Sequence, residues 1–119
     1  MNHKAVSIRP FIGAKEYDLC RSFYQDLGFE EIILSNAMSL FKTDKIGFYL
    51  QNAYVKDWID NTMIFLEVTD VDLYWKELLA LNLTSKYKDV KLIPVRQLDW
   101  GSECFLHDPL RNSLAFWTI

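Results

Sequence analysis

CRSFYQDLGF, residues 20–29, holds a helix, its stop and the start of a strand. Cys20, Phe23, Tyr24 and Leu27 fall at i, i+3, i+4 and i+7, one apolar stripe of a helix. Gly28 follows the last stripe residue, where helices often end in a left-handed conformation that glycine adopts cheaply. Working outward, residues 6–12 alternate ahead of the helix as a strand does. Residues 29–34, 37–41 and 46–51 read as strands after it, with Ser35-Asn36 and Thr43-Asp44 as turns.

The same order then returns. After a connector at 52–61, residues 63–68 read as a strand. Val71, Tyr74, Trp75, Leu78 and Leu81 make a second helical stripe, which Thr69 or Asp70 can cap. Strands at 90–98, 103–106 and 112–119 complete the chain. Pro94 marks its strand as an edge or a bulge, because proline cannot donate to a ladder. The last two strands form a hairpin around His107-Asp108-Pro109-Leu110-Arg111-Asn112. The order is strand, helix, three strands, twice over, although the halves barely match residue by residue. The fold class this predicts is α+β: two βαβββ modules, about 4–52 and 62–119, in a single domain spanning 1–119. Neither module can bury a core alone. Side by side they give one larger sheet with both helices on one face.

Bulk properties narrow the function. Half the residues are hydrophobic and 15% are aromatic, too apolar for disorder. A net charge of -3 excludes a generally basic surface, so nucleic acid is not an expected partner. No apolar run reaches the length of a membrane span, and the first residues carry no apolar signal-peptide core. Cys20 and Cys104 form no CxxC pair and read as buried thiols. The expected location is the cytoplasm.

Period two sorts the strand residues into two faces. Ile8, Pro10, Ile12, Phe48, Leu50, Ile64, Leu66, Val68, Leu114 and Phe116 share the helix-covered parity and make an ordinary core. The other parity carries Ser7, Arg9 and Phe11; Tyr49 and Gln51; Met63, Phe65 and Glu67; Ser113, Ala115 and Trp117. Large aromatics mixed with a few polar groups suit a small-molecule pocket. They equally suit an interface core covered by a second subunit.

Several of these segments resemble the vicinal oxygen chelate superfamily, which includes glyoxalase I, extradiol dioxygenases, fosfomycin-resistance enzymes and bleomycin-resistance proteins. The resemblance rests on Arg9-Pro10-Phe11, on Ser22-Phe23-Tyr24-Gln25-Asp26-Leu27-Gly28-Phe29, and on Phe105-Leu106-His107-Asp108-Pro109 with Asn112. It spans nearly the whole chain and is nearest to the bleomycin-resistance-like branch. It implies a curved eight-stranded half-barrel sheet around a cavity, two helices on the outer face, and a homodimer. The chain departs from the family at Arg111, where a glycine usually precedes the asparagine; Asn112 then takes the left-handed position.

The resemblance also implies four metal-ligand positions, one on the first and last strand of each module. Here they carry Arg9, Tyr49, Met63 and Ala115. A cation, a neutral phenol, a thioether and a methyl group do not make a divalent-metal site. A slip in alignment brings in Gln51 or Glu67, which are too few. His3 and His107 lie before the first strand and in the last turn. No catalytic nucleophile stands out: Cys20 is on a buried stripe, and Cys104 and His107 face opposite sides of a strand.

A purely protein-interaction module would leave the aromatic face sealed by a partner with no cavity left, and two further functions stand beside it. One is a metal-free small-molecule-binding protein with no cofactor. Arg9 would anchor an anionic group, Gln51 would orient a polar one, and Phe11, Tyr49, Met63, Phe65, Glu67 and Trp117 would complete the ligand site. The other is a metal-dependent lyase or dioxygenase using unexpected ligands. The donor set favours binding over catalysis. An Arg9–Glu67 ion pair with no ligand role is the structural alternative for those two residues.

Overall fold

In each half of the chain the first strand pairs in parallel with the last, and this forces the chain to cross over one face of the sheet in between. The computed structural model describes residues 1–55, 57, 62–109 and 113–118, the side chains of residues 113, 117 and 118 excepted. Two compact units, Met1–Tyr54 and Val55–Ile119, divide the chain. The first contains β1 (Phe11–Gly13), α1 (Tyr17–Asp26), β2 (Glu30–Ser35), β3 (Met38–Thr43) and β4 (Ile46–Gln51). The second contains β5 (Met63–Glu67), α2 (Val71–Ala80), a one-turn α3 (Leu83–Lys86), β6 (Lys91–Leu98), β7 (Gly101–His107) and β8 (Ser113–Thr118). The hydrogen-bonded strand orders are β1-β4-β3-β2 and β5-β8-β7-β6, two open four-stranded sheets of matching topology. The α+β class and the paired βαβββ modules are therefore those the element order implied.

The stretch around Gly28 folds as its pattern requires. Helix α1 ends at Asp26, and Gly28 takes a φ of +106°, strained for any residue with a Cβ. Phe29 N–H then bonds back to Tyr24 O, closing the helix end before β2 begins. The stripe faces its own sheet: Tyr24 lies 4.8 Å edge-on from Phe48, while Phe41 and Phe48 stack at 5.8 Å. Fully burying each such ring contributes about 1.5–3 kcal/mol, so this cluster, more than helix propensity, holds α1 in place. In the second unit Asp70 is the cap, its carboxylate accepting from Leu73 N–H at 3.1 Å. Tyr74 stacks on Phe116 at 4.5 Å over a core of Val71, Leu78, Leu83, Cys104, Leu106 and Leu114.

Three local features depart from the sequence reading. The expected strand at 6–12 is reduced to Phe11–Gly13, and Val6 and Ile8 are 95% and 93% exposed rather than on the core face. Pro10 has no N–H, so the ladder to β4 cannot continue back through it. Helix α3 was not anticipated; it begins after Asn82, which adopts a left-handed φ of 54°. Strand β6 begins one residue later than expected and is the edge strand that Pro94 indicated, with a register shift between Ile93 and Arg96. Most of the connector after residue 55, and Asn112 with its expected left-handed position, lie outside the described residues.

One polar network ties α1 to its sheet. The Glu31 carboxylate accepts from Arg21 Nε (2.6 Å), Arg21 Nη2 (3.2 Å), Gln25 Nε2 (2.6 Å) and Ser39 Oγ (2.6 Å). Ser39 in turn accepts from the buried Tyr17 hydroxyl at 3.2 Å. Burial alone would raise the Glu31 pKa. The four donors outweigh it and hold the carboxyl below its ordinary range, while the same ion pair raises Arg21. A depressed carboxyl stabilises the fold fully above its unfolded value of roughly 4.3 and ceases to do so as pH falls through the lower folded value. Glu31→Gln should accordingly cost about 1–3 kcal/mol at pH 7, with the deficit shrinking as unfolding is repeated at progressively lower pH. A constant deficit down to pH 2 would show that the carboxylate's charge contributes nothing.

Candidate functional site

The helices cover one face of each sheet, and the residues named as ligand contacts lie on the other. In the first unit the parallel register pairs Phe11 with Tyr49 and Gly13 with Gln51. Tyr49 N–H donates to Pro10 O at 2.9 Å, which fixes Arg9 and Phe11 beside β4. The Phe11 and Tyr49 rings stack with centroids 4.9 Å apart and 24° between planes, and Phe11 stays 59% exposed. Arg9 Nη1 donates a long, 3.4 Å hydrogen bond to the Tyr49 hydroxyl. Arg9 Nε is buried and has no hydrogen-bond partner among the described residues. Gln51 Nε2 reaches Met38 Sδ at 3.8 Å, a weak acceptor. The structure thus brings Arg9, Phe11, Tyr49 and Gln51 together on one open face.

The second unit builds its open face in rows. Register across β5, β8, β7 and β6 aligns Phe65, Ala115, Phe105 and Ile93, and beside it Glu67, Trp117, Glu103 and Arg96. Met63 heads the remaining row, opposite Ser113 and then His107 and Lys91. Met63, Phe65 and Glu67 are exposed, Phe65 by 50%. The backbone places Trp117 between Glu67 and Glu103, while its side chain lies outside the described atoms.

Three residues here were missed from the sequence. Glu103 is almost wholly buried and pairs with Arg96, whose guanidinium also lies 5.8 Å over the Phe105 ring. Period two along β7 already puts Glu103 and Phe105 on the face of Ala115, so those two were recoverable. Arg96 meets Glu103 only through the register shift at Pro94, which alternation cannot supply.

Cys104 belongs to the opposite, core face. Burial, then the nearby Asp72 and Glu103 carboxylates, push its thiol up to about 11, so it is a protonated and sequestered sulfur. The positions that would hold a metal in the resembling enzymes carry Arg9, Tyr49, Met63 and Ala115, and these donors do not fit a divalent cation. Among the described residues no three His, Cys, Asp or Glu side chains come together to hold one elsewhere. Within the first unit, Arg9 has no carboxylate partner among the described residues, and its one side-chain hydrogen bond goes to Tyr49.

No protein-family model and no curated protein matches the sequence. Solved structures do match. The bleomycin-binding protein from bleomycin-producing Streptomyces verticillus, solved with copper(II)-bleomycin, superposes with a TM-score of 0.82 at 22% identity, covering 99% of both chains. An antibiotic-binding protein from Streptomyces sp. CB03234 gives 0.72 at 16% identity over 98% of each chain. Lactoylglutathione lyase from Agrobacterium tumefaciens gives 0.71 at 17%, covering 98% of this chain and 96% of that one. The chain shares its fold with these structures, whose names include both binding proteins and a lyase.

Proposed function

We propose that the protein is a metal-free small-molecule-binding protein of the glyoxalase/bleomycin-resistance type. Its ligand lies against an open, aromatic sheet face. The observation that carries this reading is the Phe11–Tyr49 stack with Phe11 more than half exposed, its Tyr49 at a position where the family resemblance implies a metal ligand. Flat apolar surface with a few convergent polar groups is what a small organic molecule needs. Arg9, Phe11, Tyr49 and Gln51 form the contact set in the first unit, and Met63, Phe65, Glu67 and Trp117 in the second. Bleomycin-binding and antibiotic-binding structures of the same fold support binding as the activity. Among the described residues no His, Cys, Asp and Glu cluster offers a metal-dependent lyase or dioxygenase its donor set.

In a thermal-shift screen of aromatic antibiotics and other ring compounds, at least one should raise the melting temperature. Phe11→Ala should abolish that shift while leaving the unliganded melting temperature within a few degrees, since the ring is mostly exposed. A shift that survives Phe11→Ala would remove this face from the site.

The proposal extends to a homodimer acting in the cytoplasm. Val6 and Ile8, together with Ile33 and Leu34 on the edge strand β2, expose apolar surface that a second copy would cover. Light scattering coupled to gel filtration should give twice the mass of one chain. A single-chain mass at micromolar concentration would end the dimer proposal.

A further inference from the structure

Of the three arginines among the described residues, two pair with carboxylates and the exception lies at the candidate site. Arg21 holds Asp18 and Glu31, and Arg96 holds Glu103. Arg9 has no carboxylate among the described residues; its one hydrogen bond goes to the neutral Tyr49 hydroxyl at 3.4 Å. Its Nε is shut away from water without an acceptor. A buried donor left in this state is destabilising, and for a cation the natural remedy is an anionic oxygen pair across the Nε–Nη edge. Among the described residues no such group reaches it, and a ligand's carboxylate would supply one.

What adjoins the guanidinium fixes the rest of the ligand. Phe11 stacks on Tyr49 and presents more than half its surface to solvent, one residue beyond Pro10 from Arg9. A ring laid on that surface carries a substituent directly toward the guanidinium. We propose that the ligand is an aromatic carboxylate, its ring on Phe11 and Tyr49 and its carboxylate on Arg9. This class rests on the small-molecule reading above. To present its Nε–Nη edge the guanidinium turns out of its sealed position, and the hydrogen bond it gives up among the described residues is the long one to Tyr49. A ring bearing an ammonium group meets like charge at Arg9. A neutral ring leaves Nε as it is.

The test titrates the full chain with benzoate, benzyl alcohol, benzylamine and acetate, following the Phe11 and Tyr49 ring resonances by NMR. Benzoate should bind most tightly, and benzylamine and acetate most weakly. Arg9→Gln should weaken benzoate about tenfold or more, to the level of benzyl alcohol, and leave benzyl alcohol unchanged. Arg9→Lys should recover part of the loss. The melting temperature of Arg9→Gln should change little, because the buried Nε removed had no acceptor and the one hydrogen bond lost, to Tyr49, is long; an arginine with a merely structural role would lower it. Should either variant fold poorly, the ranking of the four probes on the unaltered chain decides alone. Benzylamine or benzyl alcohol binding as tightly as benzoate would overturn the carboxylate class while leaving the small-molecule reading intact. If no ring compound moves either resonance, that reading fails and this inference falls with it.

Discussion

Parallel pairing of the first and last strands is the constraint from which the rest of each module follows. Parallel neighbours cannot be joined by a tight turn, so the chain must cross over, and here it does so through a helix and an antiparallel meander. The helix takes one face of the sheet and buries its aromatic or aliphatic stripe there. The other face is left to different chemistry. The same pairing sets β1 against β4 with Phe11 opposite Tyr49, and β5 against β8 with Phe65 opposite Ala115. Contacts distant in sequence, Arg9 with Tyr49 above all, become neighbours through that register.

The two faces differ in how they satisfy polar groups. On the helix side, Glu31 receives four donors and Ser39 completes a chain to Tyr17, so charge and hydroxyl are fully used in joining α1 to the sheet. On the open side of the second unit, Glu103 and Arg96 neutralise one another beside Phe105. On the open side of the first unit, Arg9 is left with an unpaired donor. Polar groups that a fold leaves half-satisfied are costly unless something else completes them. That contrast within one small protein directs attention to Arg9 and the rings beside it.

Much of this was legible in the residues. The stripe from Cys20 to Leu27, the stop at Gly28 and the Asp70 cap are local signals with local causes, and the structure repeats them. Alternation sorted Phe48, Leu50, Leu114 and Phe116 into the core, and gathered Arg9, Phe11, Tyr49 and Gln51 on one side. What alternation could not show was where pairing stops. Residues 6–10 alternate like a strand, but Pro10 offers no hydrogen and the chain before it stands exposed. Nor could it show a shifted register: Arg96 reaches Glu103 across an irregularity whose size no pattern of side chains reveals. The orphaned Arg9 donor is likewise a property of three-dimensional neighbours, with no sequence signature.

The proposed function is ligand binding without a resident metal, argued from the arginine, tyrosine, methionine and alanine at the four positions that the family resemblance implies for metal ligands. The most direct test is elemental analysis of the purified chain after stripping, incubation with nickel, zinc, manganese and iron(II), and desalting. The account predicts no metal retained at any appreciable fraction of one per chain. Near-stoichiometric retention of one metal would contradict it, and would make metal-assisted catalysis the activity to pursue.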